Sequence, residues 1–395
     1  MLLLDRRVLL AIPPLWRLGF RPFFLGGALF AALAVPLWLA ALFGLPGWQP
    51  LGGWLGWHRH EMVFGFALAI VAGFLLTAVQ NWTGRPGLNG SPLRVLAGLW
   101  LVARLAWLFG VPWWLAAILE LAFAPALAWF VGRSLVQVRQ VRNYPVLAVL
   151  LLFTLADIEV MAGLAKGNEA WQRGGVFAAL WLVAALMTLI GGRVIPFFTQ
   201  RGLGRTAQVP AWPWLDWALL LGTLLLALLS ALGLTLQPGP LLAPLFCLLA
   251  IGHLLRLWRW YDRDLWRVPL LWSLHLAYAW MIVALVGLTL SALSLGVPSS
   301  LPLHALTLGG IGGLILAMIA RVTLGHTGRP LQPPAAIRWA FVLLNLGVAA
   351  RVLLVPWMPL AGLFLAALCW ASAFLVFAWY CGPMLWSARV DGQPG

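Results

Sequence analysis

Trp57-His58-Arg59-His60-Glu61 runs without a break into the apolar stretch from Met62 to Val79. A run of this length is long enough to cross a membrane as a helix. Lipid offers backbone groups no partners, so a spanning segment bonds to itself. Two of the six histidines of the chain stand at the mouth of this run, one residue apart. Helix positions i and i+2 lie about 200° apart, so His58 and His60 face opposite sides and can serve two centres. A charged, metal-capable cluster at the edge of lipid is costly, which favours a functional role. The plainer alternative is a polar cap on the helix.

The rest of the chain is built the same way. It is 63% apolar and 9% charged, outside the range of soluble globular domains. Twelve apolar runs are long enough to span, near 18–44, 61–80, 93–110, 112–132, 144–165, 174–198, 213–234, 240–258, 268–293, 302–324, 337–355 and 358–381. The fold class expected is an all-α membrane protein, a single integral domain over residues 1–395 with no soluble domain between spans. The net charge of +15 is spread over short loops and lacks the aromatic-interleaved basic face of a nucleic-acid binder, so no nucleic-acid partner is expected. Twenty of the 25 Lys and Arg fall on alternate loops or the span ends beside them, from Arg6, Arg7, Arg17 and Arg21 through Arg256, Arg259, Arg263 and Arg267 to Arg389. The positive-inside rule then puts both termini in the cytoplasm and His58 to Glu61 outside. Met1 to Leu4 and Asp5 precede the first span without a small-residue cleavage site, so a cleaved signal peptide is not expected. Cys247, Cys369 and Cys381 lie inside apolar runs without C-x-x-C spacing and read as packing residues.

An internal repeat organises the spans. His60 begins a run ending in Thr83-Gly84-Arg85-Pro86, and His304 begins one ending in Thr327-Gly328-Arg329-Pro330, with a constant offset of 244. Val102-Ala103-Arg104 resembles Ala349-Ala350-Arg351, and span 6 matches more weakly at Arg193-Val194 and Thr199. Three four-helix units follow, about 1–135, 136–260 and 261–395, with spans 2, 6 and 10 equivalent. Repeats in membrane proteins place sites at their interfaces.

The alternation of spans assigns depths. His58, His60 and His304 fall at the outward ends of spans 2 and 10. Glu61, Glu120, Asp157 and Glu159, with Arg104 and Arg351, fall at a similar outer level. Imidazole suits iron and copper, guanidinium matches the carboxylates of a haem, and intramembrane acids suit proton delivery. The alternative is structural, with Arg104 and Arg351 paired to Asp157 or Glu159. A second group, His253, His275 and His326, falls at the inner ends of spans 8, 9 and 10. His304 and His326 are separated by ~33 Å of helix if span 10 is continuous, too far to share a metal. His253 and His275 suit a second metal or haem, or are satisfied helix-end histidines, which is the plainer reading for His326 beside Gly325 and Thr327. Gly309, Gly310, Gly312 and Gly313 suit close helix packing or a flat macrocycle. No phosphate-binding loop, nucleophile elbow or H-E-x-x-H motif occurs.

The chain resembles the NnrS family of bacterial membrane proteins over nearly its full length. The resemblance rests on Arg17-Leu-Gly-Phe-Arg21-Pro-Phe-Phe, Trp57 through Phe66, Gly73-Phe-Leu-Leu-Thr-Ala-Val and Asn81-Trp-Thr-Gly-Arg-Pro86. In the second half it rests on His275-Leu-Ala-Tyr-Ala-Trp280, His304-Ala-Leu-Thr-Leu-Gly-Gly and Met318 through Pro330. It implies a multi-pass protein of the bacterial inner membrane, containing haem b and copper and linked to nitric oxide and nitrosative stress. The layout is also similar to the catalytic subunit of haem–copper oxidases and nitric oxide reductases. There, histidines on the equivalents of spans 2 and 10 hold two haems, but the H-x-H pair lies on span 10, and the copper histidines of spans 6 and 7 have no counterpart here.

The expected function is reduction of nitric oxide to nitrous oxide, with electrons from an unidentified donor. His304 with His58 or His60 would hold one haem, and the remaining member of that pair the reacting iron. Glu61, Glu120, Asp157 and Glu159 would deliver protons. The alternatives are a non-catalytic haem or copper protein that binds nitric oxide or protects iron, and a secondary transporter. Membrane lipid surrounds the chain in each case, and a homodimer is compatible with all three.

Overall fold

A computed structural model describes residues 6–206, 209–237 and 239–393. The N-terminal stretch Met1 to Asp5, read above for a cleavage site, lies outside the described residues, as do the side chains of Arg6 and Arg7. Twelve helices are long and apolar enough to cross a membrane: Phe20–Leu42, Gly53–Thr83, Gly90–Leu108, Trp113–Gln137, Val141–Ala165, Glu169–Gly202, Pro213–Ala231, Pro240–Trp260, Pro269–Ala292, Ser300–His326, Ala335–Leu354 and Pro359–Trp386. These are spans 1 to 12 in the order given. Each overlaps the run expected from sequence, and no strand occurs among the described residues. Span 2 begins earlier than its apolar run, so His58 and His60 lie within the helix rather than before it.

The two Thr-Gly-Arg-Pro motifs are helix stops. Gly84 and Gly328 carry φ of 65° and 77°, the left-handed conformation that ends helices and that glycine adopts without steric cost. Thr83 Oγ1 donates to Val79 O at 2.7 Å and Thr327 Oγ1 to Thr323 O at 2.6 Å, each satisfying its own last turn. The prolines that follow keep the helix from resuming.

Four spans are interrupted by π-helical segments: Glu61–Ala67 in span 2, Met187–Gly191 in span 6, Ala305–Gly312 in span 10 and Ala350–Leu354 in span 11. A π segment releases carbonyls from the regular ladder, and a buried carbonyl needs a donor. Side chains supply it: Trp100 Nε1 donates to Gly65 O at 2.8 Å and Arg256 Nη1 to Thr188 O at 3.2 Å.

Spans 2, 6 and 10 are the most buried of the twelve, at 78%, 83% and 72% of their apolar windows against 33–50% elsewhere. The first π segments of spans 2 and 10 both begin on the residue after a histidine, His60 and His304. Large exposed apolar side chains such as Leu33, Val95, Ile118, Trp129 and Trp379 mark faces suited to lipid.

The described residues group into two compact units. One comprises the described residues up to Ala179, Ile319–Leu331 and those from Phe374 onward, and the other the described residues of 180–318 with Gln332–Ala373.

Candidate functional site

The first unit holds a buried ionic cluster built by spans 2 to 5. His60 and Glu61 lie near the start of span 2, Arg104 near the end of span 3, Glu120 in the first part of span 4, and Asp157 toward the end of span 5. Antiparallel neighbours bring these ends to one level. All five side chains are at most 4% exposed. Arg104 donates from Nη1 to Glu61 Oε1 at 2.6 Å and from Nη2 to Glu120 Oε2. Its guanidinium thus bridges two carboxylates of different helices, the geometry that planar donors favour. Glu61 Oε1 also meets His60 Nδ1 at 3.0 Å. The other ring nitrogen, His60 Nε2, lies 3.6 Å from Asp157 Oδ1. Both of those atoms are buried without a hydrogen-bond partner.

The imidazole is fixed on both faces. Trp107 stacks on it at 3.7 Å between centroids and 15°, and Phe64 at 4.7 Å and 19°. Gly65 is required beneath the cluster: a Cβ there would stand 2.8 Å from Glu61 Oε2 and 3.0 Å from Arg104 Nη1. Phe64 and Trp107 had no distinguishing mark among 26 tryptophans and 20 phenylalanines. Helical spacing was the one usable signal, since Phe64 is four residues after His60 and Trp107 three after Arg104.

The remaining candidates go elsewhere. His58 stacks on Trp38 at 4.9 Å and 13°, away from His60, as the helix period requires. Glu159 is half-buried, two residues from Asp157 and outside the cluster's bonds. Arg104 takes Glu61 and Glu120 as partners rather than Asp157 or Glu159. His326 packs its ring 5.6 Å from that of Phe20.

In the second unit His304 Nδ1 donates to Ser300 O at 2.6 Å, and Arg351 Nη2 lies 3.5 Å from His304 Nε2. His253 Nδ1 meets Tyr278 Oη at 2.6 Å. Arg256 reaches the same hydroxyl at 3.2 Å and pairs with Asp216 at 3.1 Å. Sequence placed Arg256 at the loop end of span 8, without a partner. In the structure it lies inside span 8 and is 3% exposed, because Thr188 O, Tyr278 and Asp216 satisfy it there. Gly192 makes room, since a Cβ would collide with that guanidinium. His275 Nδ1 lies 3.0 Å from Leu271 O and donates to it, and the backbone of Trp260 bonds to the same ring.

These geometries test which metals the histidines suit. Haem at His60 does not fit. A porphyrin plane lies across the ligating nitrogen, and Asp157 stands in that place with aromatic rings on both imidazole faces. The Nε2 of His304 faces a cation, Arg351, which disfavours a metal there. His275 has its Nδ1–H held by the Leu271 carbonyl, and the backbone of Trp260 also bonds to the ring. Donor atoms of His60, Glu61 and Glu120 lie within 4.8 Å of one another, but Arg104 already occupies the two glutamates. All three cysteines are free, two of them buried.

A multi-pass membrane protein with a buried acid–arginine–histidine cluster is the class these features define. The chain belongs to the NnrS protein family, whose match covers residues 14–389. Membership points to the nitric oxide response. A search of curated proteins finds no match.

Proposed function

We propose that the protein reduces nitric oxide to nitrous oxide and so relieves nitrosative stress, and that the His60 cluster supplies the protons. Coupling two nitric oxide molecules takes two electrons and two protons and releases nitrous oxide and water. The observation that carries the proton role is the pair of unpartnered buried atoms, His60 Nε2 and Asp157 Oδ1, at 3.6 Å. Two acceptors facing each other in a buried site repel unless a proton lies between them. Three carboxylates and one arginine leave two negative charges on Glu61, Glu120, Asp157 and Arg104. Burial of net charge within a span is strongly unfavourable. Neutrality therefore requires two protons among His60, Glu61, Glu120 and Asp157, the number one turnover consumes. Arg104 holds Glu61 and Glu120, so His60 and Asp157 are the mobile pair.

A redox metal, haem iron or copper, would supply the electrons. The electron donor is a separate protein or quinol. The site lies in a bacterial cytoplasmic membrane under this reading.

The experiment is nitric oxide consumption and nitrous oxide release by the purified protein with a chemical reductant. Asp157→Asn removes the proton site at similar volume and should slow turnover at least ~100-fold, the usual worth of a positioned acid or base, with metal content unchanged. Unchanged turnover in this variant would remove the cluster from the reaction. The same cluster favours a second reading, proton-coupled transport. That reading gains if the wild-type protein, reduced and metal-loaded, yields no nitrous oxide yet takes up protons on solute addition.

A further inference from the structure

A second charged cluster lies in the first unit, at the ends of spans 1, 10 and 12, and the function proposed above does not use it. Arg21 is fully buried. Its Nη1 donates to Leu385 O at 2.9 Å and Ser387 O at 2.8 Å, carbonyls at the end of span 12. Those acceptors account for one corner of the guanidinium. The opposite edge, Nε with Nη2, is buried with no hydrogen-bond partner among the described residues. Two parallel N–H groups on one edge form the fork that matches two oxygens of a carboxylate, phosphate or other oxyanion.

The neighbours are cationic too. Arg17, Arg329 and Arg389 lie close enough to act on the charge of Arg21. Arg17 is 6% exposed, and Arg17 Nη1 and Arg329 Nη1 are also buried without partners among the described residues. His326 lies near Arg21 and Arg389. The acid bonded into this group is Asp391, and it is engaged by Arg389 at 2.9 and 2.6 Å. Among the described residues, four arginines stand against one carboxylate, and four N–H positions have no partner. Buried donors of this kind each cost free energy unless something accepts from them. The cover over the cluster is thin: Ser387, Ala388, Val390 and Asp391 are exposed, and Val390 N holds the tail to Thr327 O at 3.2 Å.

We propose that Arg17, Arg21 and Arg329 form a binding site for an oxyanion, a phosphate-type group received when the tail Ser387–Asp391 lifts. The group is the headgroup of an anionic phospholipid or a free oxyanion. The two Thr-Gly-Arg-Pro motifs then differ in use, since Arg85 of the first is exposed and Arg329 of the second points into the site.

The test uses the full-length protein in detergent, followed by tryptophan fluorescence on heating. Inorganic phosphate is titrated against chloride at constant ionic strength, and bound phospholipid is counted by extraction. Arg329→Gln is the main variant, because the Arg329 side chain makes no hydrogen bond or ion pair among the described residues. Arg21→Lys keeps the charge and removes the fork. Saturable stabilisation by phosphate, weakened about tenfold or more in both variants, as loss of one charge-assisted bond implies, supports a free oxyanion. No phosphate effect, with phospholipid retained by wild type and lost from both variants, supports the headgroup. Phosphate acting no better than chloride with no retained phospholipid overturns the proposal, as does phosphate stabilisation or phospholipid retention that is equal in wild type and Arg329→Gln.

Discussion

His60 and His304 hold matching places in the sequence, 244 residues apart, and come to lie in opposite chemical settings. Each is followed by a π segment and each has an arginine three-residue motif to match it, Val102-Ala103-Arg104 and Ala349-Ala350-Arg351. Next to His60 stands Glu61, and Arg104 is drawn between Glu61 and Glu120. Next to His304 stands Ala305, and Arg351 meets the imidazole instead of an acid, with its Nη1 buried and unpartnered. The acids, not the histidine and arginine, make one place a proton-holding cluster and leave the other a weak cation–imidazole contact.

Removing the arginines should separate the two places most. Arg104→Gln leaves two glutamates and Asp157 facing one another in a dry site, and should cost about 3–5 kcal/mol of stability, as uncompensated buried charge does. Arg351→Gln breaks no ion pair and should cost less than about 1 kcal/mol. Thermal unfolding of the two variants measures both, and equal losses would break the comparison.

The matched glycines Gly65 and Gly309 come next. Gly309→Ala drives a Cβ into Trp280, 2.6 Å from its Cβ and near its Cγ, atoms that cannot swing aside. Overpacking of this kind costs about 1–3 kcal/mol. Gly65→Ala meets the ends of Glu61 and Arg104, which can give, so its stability loss should be the smaller. Its proton-dependent activity should nonetheless fall further, because the atoms displaced are those of the cluster. Activity assays on both alanine variants sharpen the contrast; a larger activity loss in Gly309→Ala would reverse it.

The smallest effect lies at the Thr-Gly-Arg-Pro ends. Asp391 is held well below the usual carboxylate range by Arg389 and by the backbone N–H of Gln393. A carboxyl lowered in the folded protein contributes fully above its unfolded value of about 3.9, and that contribution fades as pH falls below it. Cleavage of the tail by an acid protease, normalised to a free tail peptide, should therefore rise between about pH 4 and pH 2. The turn at Thr83 to Pro86 serves as the control and should show no comparable rise.

Much of this architecture was legible in the residues. The twelve runs could be read because a lipid-spanning backbone must be helical and apolar over a fixed length. The two Thr-Gly-Arg-Pro stops could be read because a threonine, a left-handed glycine and a proline each act within one turn. The opposite facing of His58 and His60 followed from the helix period alone. Counting residues along alternating spans put nine polar residues at one level, and five of them, His60, Glu61, Arg104, Glu120 and Asp157, meet in the structure.

Partner choice was not legible. Depth does not give rotation, so Arg104 could be placed beside acids without showing that it takes Glu61 and Glu120 and leaves Asp157 to His60. Nor could counting charges near loops show that Arg21 and Arg256 turn inward. Each is held by carbonyls that a helix end or a π segment leaves without a backbone donor. Sequence by itself determined what local chain geometry and the length of the lipid crossing impose: the twelve helices and the Thr-Gly-Arg-Pro stops that end two of them. The tertiary structure alone decided which faces meet, because helix rotation is set by side-chain packing between spans distant in sequence.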